Sequence, residues 1–257
     1  MKRTIASVCT LALAGQALAW DSCEHERKID ETLDVGDSEV LHVIAAAGDL
    51  EIRGTSGDTV RVRATVCASE EEWAEEAGVD LIAGEQAKVA VVMPDFPSGW
   101  SWSGNRYAYV DLAIEVPNDL DLDVRDSSGD MDIRDTGSVS IKDSSGDIDV
   151  EGTLGAVALE DSSGDIELNG IEGDVTVVSD SSGDIRGRDI DGSVIVAKDS
   201  SGDIRFRNVD GDFTVERDSS GDIVADTVGG DFTVLRDGSG DIRHEAVQGS
   251  VEVPKDS

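Results

Sequence analysis

Aspartates recur at two fixed positions of a repeated phrase, and carboxylates in such rows have the chemistry to shape turns or to bind cations. The phrase DSSGDI begins at Asp126 and returns, with DGSGDI as its last copy, at steps of 17, 18, 19, 19, 19 and 19 residues. We number each repeat from its first Asp. Position 1 holds Asp126, Asp143, Asp161, Asp180, Asp199, Asp218 and Asp237, and position 5 holds Asp130, Asp147, Asp165, Asp184, Asp203, Asp222 and Asp241. A period this regular predicts stacked units, in which the aspartates form two columns.

Two interpretations account for such columns. Stacked rungs lie about 4.8 Å apart, and carboxylates at that distance repel each other by about 1 kcal/mol in water. In the first interpretation, which we favour, each position-1 Asp accepts backbone N–H groups of the following Ser-Ser-Gly, and the Ser hydroxyls donate to neighbouring carboxylates. In the second, Ca²⁺ lies between the columns, because this ion takes several carboxylate and carbonyl oxygens. The first interpretation requires no cofactor, and the second requires Ca²⁺.

The residues between the aspartates predict the elements that position them. Position 6 is Met131 in the first repeat and Ile in the other six, and positions 15 and 17 are always Val, Ile, Leu or Phe. This alternation is typical of two short strands that each bury one face. Position 13 is always Gly, which permits the positive φ that a tight corner needs. We therefore predict an all-β, single-stranded parallel β-solenoid with rungs of about 19 residues.

The chain divides into three predicted parts. Residues 1–19 have two basic residues, an apolar run and an Ala-Leu-Ala end, which predict a signal peptide and a periplasmic, extracellular or cell-surface protein. Residues 20–125 form an N-terminal cap and irregular first rungs, and residues 126–257 form the regular solenoid. Within the cap, residues 39–66 have two Gly-Asp corners and are interpreted as the first rungs. Residues 69–108 are an insertion or cap, and Ser69 with Glu72 predicts a capping box for a short helix.

Two further groups of residues are assigned to the cap. Cys23 and Cys67 are the cysteines that remain after export, and we predict a disulfide that contributes about 3 to 4 kcal/mol. Trp100, Trp102 and Tyr107 lie in an aromatic segment that covers the end of the solenoid or binds a partner. We favour the covering role and keep the three as candidates for partner binding.

The strongly negative net charge limits the classes of partner that the chain can bind. The net charge is −35, and it becomes −37 when Lys2 and Arg3 leave with the signal peptide. Such a charge repels nucleic acid and anionic membranes, and no stretch predicts a membrane span. Pro254 and Lys255 stand at the last strand edge, where proline and charge oppose edge pairing. We predict a monomer, with head-to-tail assembly as the alternative.

The sequence also resembles a known family. The GDI and G[DS]V corners, the signal peptide and the lead-in VDLAIEVPNDLDLDV resemble the bacterial putative-adhesin family, over residues 39–255. The resemblance implies an exported β-solenoid of the domain-of-unknown-function type, and it carries no catalytic residues. The uniform DSSG departs from that family, whose members more often have Thr, Val or Asn before the Gly-Asp.

Three functions from different classes follow. The first is a non-catalytic structural, adhesin-like or interaction protein of the cell envelope, with an unknown protein or glycan as partner. The second is a Ca²⁺-binding solenoid that uses the stacked aspartates. The third is a polysaccharide-active β-helix enzyme, which needs a unique cluster of acids, whereas His25, His42 and His244 are scattered. We predict the first function, no catalytic residues and no enzymatic activity.

Overall fold

A computed structural model describes residues 23–36, 38–95 and 106–254, and strands make up nearly all of its regular structure. Within these residues the strands form two sheets of eleven strands each. Sheet A contains, in spatial order, β1 (His25–Leu33), β4 (Val60–Ala68), β7 (Ala108–Pro117), β3 (Leu50–Thr55), β9 (Met131–Arg134), β11 (Ile148–Glu151), β13 (Ile166–Ile171), β15 (Ile185–Ile190), β17 (Ile204–Val209), β19 (Ile223–Val228) and β21 (Ile242–Val247).

Sheet B lies on the other side of the core. It contains, in spatial order, β22 (Val251–Glu252), β20 (Phe232–Val234), β18 (Phe213–Val215), β16 (Val194–Val196), β14 (Val175–Ser179), β12 (Val157–Glu160), β10 (Val139–Lys142), β8 (Asp121–Arg125), β2 (Val40–Ile44), β6 (Lys88–Val92) and β5 (Gly78–Ile82). The short helix α1 (Glu71–Glu76) belongs to the N-terminal cap.

Each repeat forms one coil, with a strand in sheet A after the DSSGD corner and a strand in sheet B after the return corner. Equivalent positions pair in parallel: Ile166 lies beside Ile185 in sheet A, and Val175 beside Val194 in sheet B. This register keeps the apolar side chains of positions 6, 8, 15 and 17 directed at the space between the sheets. The predicted parallel β-solenoid with rungs of about 19 residues is confirmed.

The core is filled across neighbouring coils. The rings of Phe206 and Phe213 lie 5.0 Å apart, and those of Phe213 and Phe232 lie 5.3 Å apart. All three side chains are fully buried. Gly187, at position 8 of the coil before Phe206, leaves room for a ring, since an added Cβ would lie 2.1 Å from Phe206 Cε1. Volume is therefore shared between coils, as close packing requires.

The corner glycines act differently from the prediction. The position-13 glycines do not have positive φ; at Gly192 an added Cβ would lie 2.5 Å from the backbone oxygen of Gly173, so close approach excludes a side chain. Positive φ occurs at position 4, as in Gly183 at 132°, where an added Cβ would also meet the preceding coil. The left-handed residue of the return corner is at position 10, as in Asp189 at 55°. At both corners the backbone of the preceding coil therefore leaves no room for a side chain at the glycine.

The first coils are stacked in an order that reverses their order in the chain. Strands β2 and β3 form one coil beside the start of the repeats, in which β2 pairs with β8 and β3 pairs with β9. Strands β6 and β7 form the next coil outward, in which β6 pairs with β2 and β7 pairs with β3. The lead-in strand β7 therefore pairs with β3 and β4 and not with a strand of the first repeat. The second Gly-Asp corner, Gly57-Asp58, leads into β4, which is antiparallel to β7, so its interpretation as a rung was wrong.

Antiparallel strands close the N-terminal end. In sheet A, β1 pairs with β4 and β4 with β7, and in sheet B, β5 pairs with β6. The predicted disulfide is present, and the Cα atoms of Cys23 and Cys67 lie 5.7 Å apart. It joins the segment that begins β1 to the end of β4, so the cap is covalently closed.

The predicted capping box is wrong, although the predicted short helix is present. The N-cap of α1 is Glu70, which makes no side-chain cap hydrogen bond. Ser69 Oγ instead accepts the backbone N–H of Tyr107 at 3.1 Å. At the other end of α1, Arg27 Nε donates to the carbonyl of Ala74 at 2.9 Å, and its Nη2 donates to that of Ala77. A cation at this end satisfies free carbonyls and complements the helix dipole.

Several predictions lie outside the described residues. They concern the signal peptide at residues 1–19, the side chains of Trp100 and Trp102, and Lys255 at the last strand edge. Within the described ranges, no helix is long and apolar enough to cross a membrane.

Candidate functional site

The position-5 aspartates form a continuous hydrogen-bond ladder along the solenoid. Each Oδ1 accepts the backbone N–H of the equivalent Asp in the next coil, at distances from 2.7 Å to 3.1 Å between repeats. The ladder continues into the cap, where Asp49 Oδ1 accepts the N–H of Asp130 at 3.2 Å and Asp111 Oδ1 accepts that of Asp49 at 3.0 Å. Sequence reasoning noticed the Gly48-Asp49 corner but had no signal for Asp111.

Arginines neutralise part of this outer column. Arg186 Nη1 lies 2.9 Å from Asp165 Oδ2, and Arg243 Nη1 lies 2.8 Å from Asp222 Oδ2. The backbone N–H of the next ladder Asp, followed by the neighbouring Arg, holds the pKa of Asp165 and Asp222 below the ordinary value. The outer column is therefore a set of hydrogen-bonded carboxylates, and at Asp165 and Asp222 the donors favour the ionised form.

The position-1 aspartates form an inner column with a different environment. Asp180 and Asp199 are completely buried. Asp199 Oδ1 accepts the N–H of Ser200 at 2.6 Å, and Asp180 Oδ1 accepts that of Ser182 at 3.2 Å. The Oδ2 atoms of both have no hydrogen-bond partner among the described residues. Burial raises the pKa of Asp199 to about 7 and that of Asp180 to about 6, and the neighbouring carboxylates of the column add to the shift.

The Ser-Ser pair bonds partly as predicted. Its backbone N–H groups donate to Asp161, Asp180, Asp199 and Asp218, as the turn-forming interpretation predicts. Among the described residues, both carboxylate oxygens of Asp126, Asp143 and Asp237 have no hydrogen-bond partner, so the interpretation holds for four of the seven repeats. The position-3 hydroxyl does not donate to a carboxylate, and that expectation was wrong. Ser201 Oγ donates to the backbone carbonyl of Ser181 at 3.0 Å, and the same bond recurs in other repeats. The hydroxyls therefore join successive coils through the backbone.

A second ladder follows the return corner, at position 14, and sequence reasoning missed it. Asp174 Oδ1 accepts the N–H of Ser193 at 2.8 Å, Ser193 Oγ accepts that of Asp212 at 3.1 Å, and Asp212 Oδ1 accepts that of Asp231 at 2.8 Å. Position 14 is Asp or Ser in six of the seven repeats, and either side chain supplies an acceptor oxygen, whereas Ala156 interrupts the ladder in the second repeat. In the last four repeats both corners are thus fixed to the preceding coil.

The two aspartate columns face different environments, which bears on metal binding. The outer carboxylates are engaged with backbone N–H groups and arginines, whereas the inner ones each keep a buried oxygen without a partner. In the part of the chain that the structure describes, no three His, Cys, Asp or Glu side chains are grouped as a metal site would need. A Ca²⁺ ladder therefore stays a prediction, supported by the unpartnered inner oxygens alone.

A groove with a volume of about 910 Å³ runs along the outer face of sheet A, from β1 to β15. It crosses the cap and the first four repeats. Lys28, Arg63 and Arg186 are its basic residues. Its carboxylates are Asp30, Asp49, Glu51, Asp111, Asp130, Asp132, Asp147, Asp149, Asp165 and Glu167. The groove joins strands that are far apart in the chain, so the sequence had no pattern that pointed to it.

The groove's carboxylates are close enough to influence one another. The pKa of Asp149 is raised, mainly by burial and then by the negative charge of Asp132, with a smaller effect of Glu167. Burial also raises the pKa of Asp111. Burial is the main cause of both shifts, and the excess of carboxylates over bases along the groove gives it a negative potential, which attracts cations.

The structure places Tyr107 in the packing of the cap. Its backbone N–H donates to Ser69, its hydroxyl accepts the N–H of Glu24 at 3.2 Å, and its ring is 6.1 Å from that of Tyr109. Nearby, the Arg106 guanidinium lies 5.6 Å from the centre of the Trp73 ring. These contacts favour the covering role for Tyr107.

These features describe a parallel β-solenoid with carboxylate ladders, a closed N-terminal cap and an acidic groove. The chain belongs to the family described as Toastrack DUF4097, whose model matches residues 99–256. The family is defined by a domain of unknown function. A comparison with curated proteins finds no match.

Solved structures are similar to this chain to different degrees. A putative adhesin from Bacteroides fragilis NCTC 9343 has 11% identity and a TM-score of 0.51, over 88% of this chain and 96% of that one. A putative lipid binding protein from Parabacteroides distasonis ATCC 8503 has 13% identity and a TM-score of 0.42, over 90% and 98% of the two chains. A putative cell adhesion protein from Clostridium sporogenes ATCC 15579 has 13% identity and a TM-score of 0.30, over 88% and 98%. At these identities the likeness concerns the fold.

Proposed function

We propose that this chain is an exported, non-catalytic interaction protein of the adhesin type, and that the groove of sheet A is its binding surface. The observation that carries the proposal is the groove itself, which extends across eight strands and contains many more carboxylates than bases. The ladders at both corners hold these strands in register, so the surface is preorganised for binding. His25, His42 and His244 lie on β1, β2 and β21, far apart in the strand order, which supports a non-catalytic role.

The charge of the groove selects the class of partner. A carboxylate row along the solenoid axis complements an elongated cationic ligand, and the lysine- or arginine-rich segment of a protein is the ligand that we propose. Such a segment would place its cations against Asp132, Asp149 and Glu167, which lie at position 7 of three successive repeats. Arg134 already pairs with Asp132 and lies 3.9 Å from Asp149, so the bound cations would relieve the repulsion that remains, mainly at Asp149 and Glu167.

The first test measures binding of a fluorescent deca-lysine peptide to the mature chain by anisotropy, at several salt concentrations. The groove variant is Asp132→Asn, Asp149→Asn and Glu167→Gln, which removes three charges with little change of shape. The control is Glu172→Gln, Asp191→Asn and Asp210→Asn, which removes three exposed charges at the return corners. We expect the groove variant to bind about tenfold more weakly and the control to bind as the unmodified chain does.

Two outcomes would contradict the proposal. An equal loss in both variants would mean that the peptide responds only to the net charge of −35. An absence of binding at low salt would mean that the groove does not accept a cationic chain.

A second candidate function is calcium binding, and the unpartnered inner oxygens favour it. A buried carboxylate oxygen without a donor is costly unless a proton or a cation satisfies it. The Oδ2 atoms of Asp161, Asp180, Asp199 and Asp218 recur in successive coils, so an ion bound to one coil would have equivalents in the next. Ca²⁺ prefers oxygen ligands of this kind.

Thermal unfolding in EDTA, in millimolar Ca²⁺ and in millimolar Mg²⁺ tests this candidate. A rise in Tm that is large with Ca²⁺ and absent with Mg²⁺ would support it. A small rise with both ions would indicate screening of the net charge and would contradict a specific site.

A further inference from the structure

Three exposed cations are stacked in successive coils at the edge of sheet B. Lys198, Arg217 and Arg236 each occupy the last position before a DSSGD-type corner. Among the described residues these three make no salt bridge and no side-chain hydrogen bond, whereas Arg186, Arg205 and other arginines of sheet A are paired with carboxylates. The absence of partners is unexpected in a chain with 56 acidic residues, because most cations on such a surface have an acid within reach. We call these three residues the basic column.

The backbone holds the basic column in register. The carbonyl of Arg217 accepts the N–H of Asp199 at 2.8 Å, and that of Arg236 accepts the N–H of Asp218 at 2.9 Å. Each cation is thus tied to the coil below it, and the charges repeat every 4.8 Å or so along the axis. Like charges at about this distance repel by about 1 kcal/mol even in water, so the column does not stabilise the fold by itself. An external anion would remove this repulsion.

A cleft of about 290 Å³ accompanies the column. It is lined by the three cations together with Ala197, Glu216 and Leu235. Leu235 is 56% exposed, which is high for a large apolar residue. Glu216 is the acidic residue of the cleft. The surface therefore combines apolar contact area with a row of cations, as sites for carbohydrate and other amphipathic ligands do.

A column of hydroxyls lies two residues further along each coil. Ser200 and Ser219 follow Lys198 and Arg217 after one buried Asp, and their hydroxyls form no hydrogen bond among the described residues. Two parallel columns, one of cations and one of hydroxyls, match a ligand that has both hydroxyl groups and one negative charge in each unit. A uronic acid polymer has this chemistry, and arginine recognises its carboxylates through paired N–H donors.

We propose that the basic column binds a linear acidic polysaccharide that lies along the solenoid axis, with a carboxylate against each cation. This site lies at the edge of sheet B, so it is separate from the groove of sheet A and does not depend on the function proposed there. The net negative charge slows the approach of such a ligand, but at physiological salt charges more than about 8 Å away are largely screened. The charges that act on the bound polysaccharide are therefore mainly those of the basic column.

The test uses isothermal titration of the mature chain with an oligogalacturonate and with its methyl-esterified, uncharged form. The site variant is Lys198→Gln, Arg217→Gln and Arg236→Gln. The control is Lys88→Gln, Arg188→Gln and Arg207→Gln, which makes the same change of net charge at other places on the surface. We expect the acidic form alone to bind, the site variant to bind it at least about tenfold more weakly, and the control to bind it unchanged.

Other outcomes would overturn the inference. No binding of the acidic oligomer by the unmodified chain would do so, and so would an equal loss in the site and control variants. Tighter binding of a single-stranded oligonucleotide or of anionic vesicles would assign the column to another class of partner. Circular dichroism of both variants establishes that they are folded, and deca-lysine binding by the site variant keeps the two proposals distinguishable.

Discussion

The two aspartate columns show how the pKa of one residue type can be shifted in opposite directions within one repeat. Asp at position 1 and Asp at position 5 are four residues apart, yet burial raises the pKa of the former and hydrogen bonds lower the pKa of Asp165 and Asp222 among the latter. Burial disfavours the charged form, which raises the pKa of Asp126 and Asp199 to about 7 and that of Asp180 and Asp218 to about 6. At Asp165 and Asp222 in the outer column, hydrogen-bond donors favour the ionised form instead.

A pH dependence of stability follows from the inner column. The pKa of Asp199 rises from 3.8 to about 7 on folding, so between these values the folded chain binds protons that the unfolded chain does not. This contribution is fully present below the unfolded pKa and is lost as the pH rises through the folded value. We expect the Tm in EDTA to be higher at about pH 5 than at about pH 7.5.

The variant Asp180→Asn with Asp199→Asn separates this effect from general charge repulsion. These substitutions keep the shape and remove two titrating groups, so the difference in Tm between the two pH values becomes smaller. Asp210→Asn, an exposed substitution at a return corner, leaves the difference as it is. An unchanged pH dependence in the double variant would show that other groups cause it.

At the scale of the strands, the core depends on which side chain lies in the neighbouring coil. Position 8 is Gly187, Phe206 and Ala225 in three successive coils. The Phe206 ring occupies the space above Gly187. Ala225 is the position-8 residue of the coil on the other side of Phe206. Gly187 is therefore required because a side chain would meet the Phe206 ring. Its backbone conformation does not require glycine, since its φ is not in the left-handed range.

Substitution Gly187→Ala is expected to destabilise the chain by about 1 to 3 kcal/mol, the usual range for overpacking a tight core. Urea unfolding of Gly187→Ala, Phe206→Leu and the double variant measures the coupling between the two sites. In the Phe206→Leu background the alanine has more room and costs less. Equal costs in both backgrounds would mean that the ring does not limit the volume at position 8.

The whole molecule is a parallel solenoid whose N-terminal end is closed by antiparallel strands and a disulfide. Parallel coils leave an edge of unpaired backbone groups at each end. In sheet A, β4 and β1 cover the edge of β7, and in sheet B, β5 covers β6. The Cys23–Cys67 disulfide, which closes a separation of 44 residues, holds this cover in place.

Replacement of both cysteines by serine is expected to lower the stability of the cap by about 3 to 4 kcal/mol. Hydrogen exchange measured by mass spectrometry locates the effect. Amides of β1 and β4 should exchange faster, whereas those of β13, β15 and β17 should keep their protection, because stability in repeat proteins is largely local. An unchanged rate in β1 and β4 would contradict the role of the disulfide in the cap.

Residue patterns predicted the repeat architecture well because every coil presents the same residues to the same surroundings. Position 6 and position 15 reveal the buried faces, and the DSSG phrase reveals the corner that accepts backbone N–H groups. The reasons for the corner glycines were predicted less well. A position-13 glycine such as Gly192 excludes a side chain through contact with Gly173 of another coil, and a single repeat contains no sign of that contact.

The sequence by itself determined the β-solenoid, the length of its rungs and the aspartate columns, because local alternation and a constant period specify these features. The disulfide was predictable for a different reason, since the chain after residue 19 contains two cysteines. Only the tertiary structure decided that β7 lies outside β3, that Asp111 and Asp49 extend the ladder, and that carboxylates from β1 to β15 share one groove. These features join segments that are far apart in the chain. Their positions depend on which strand edges pair, and alternation along one strand does not specify its neighbour.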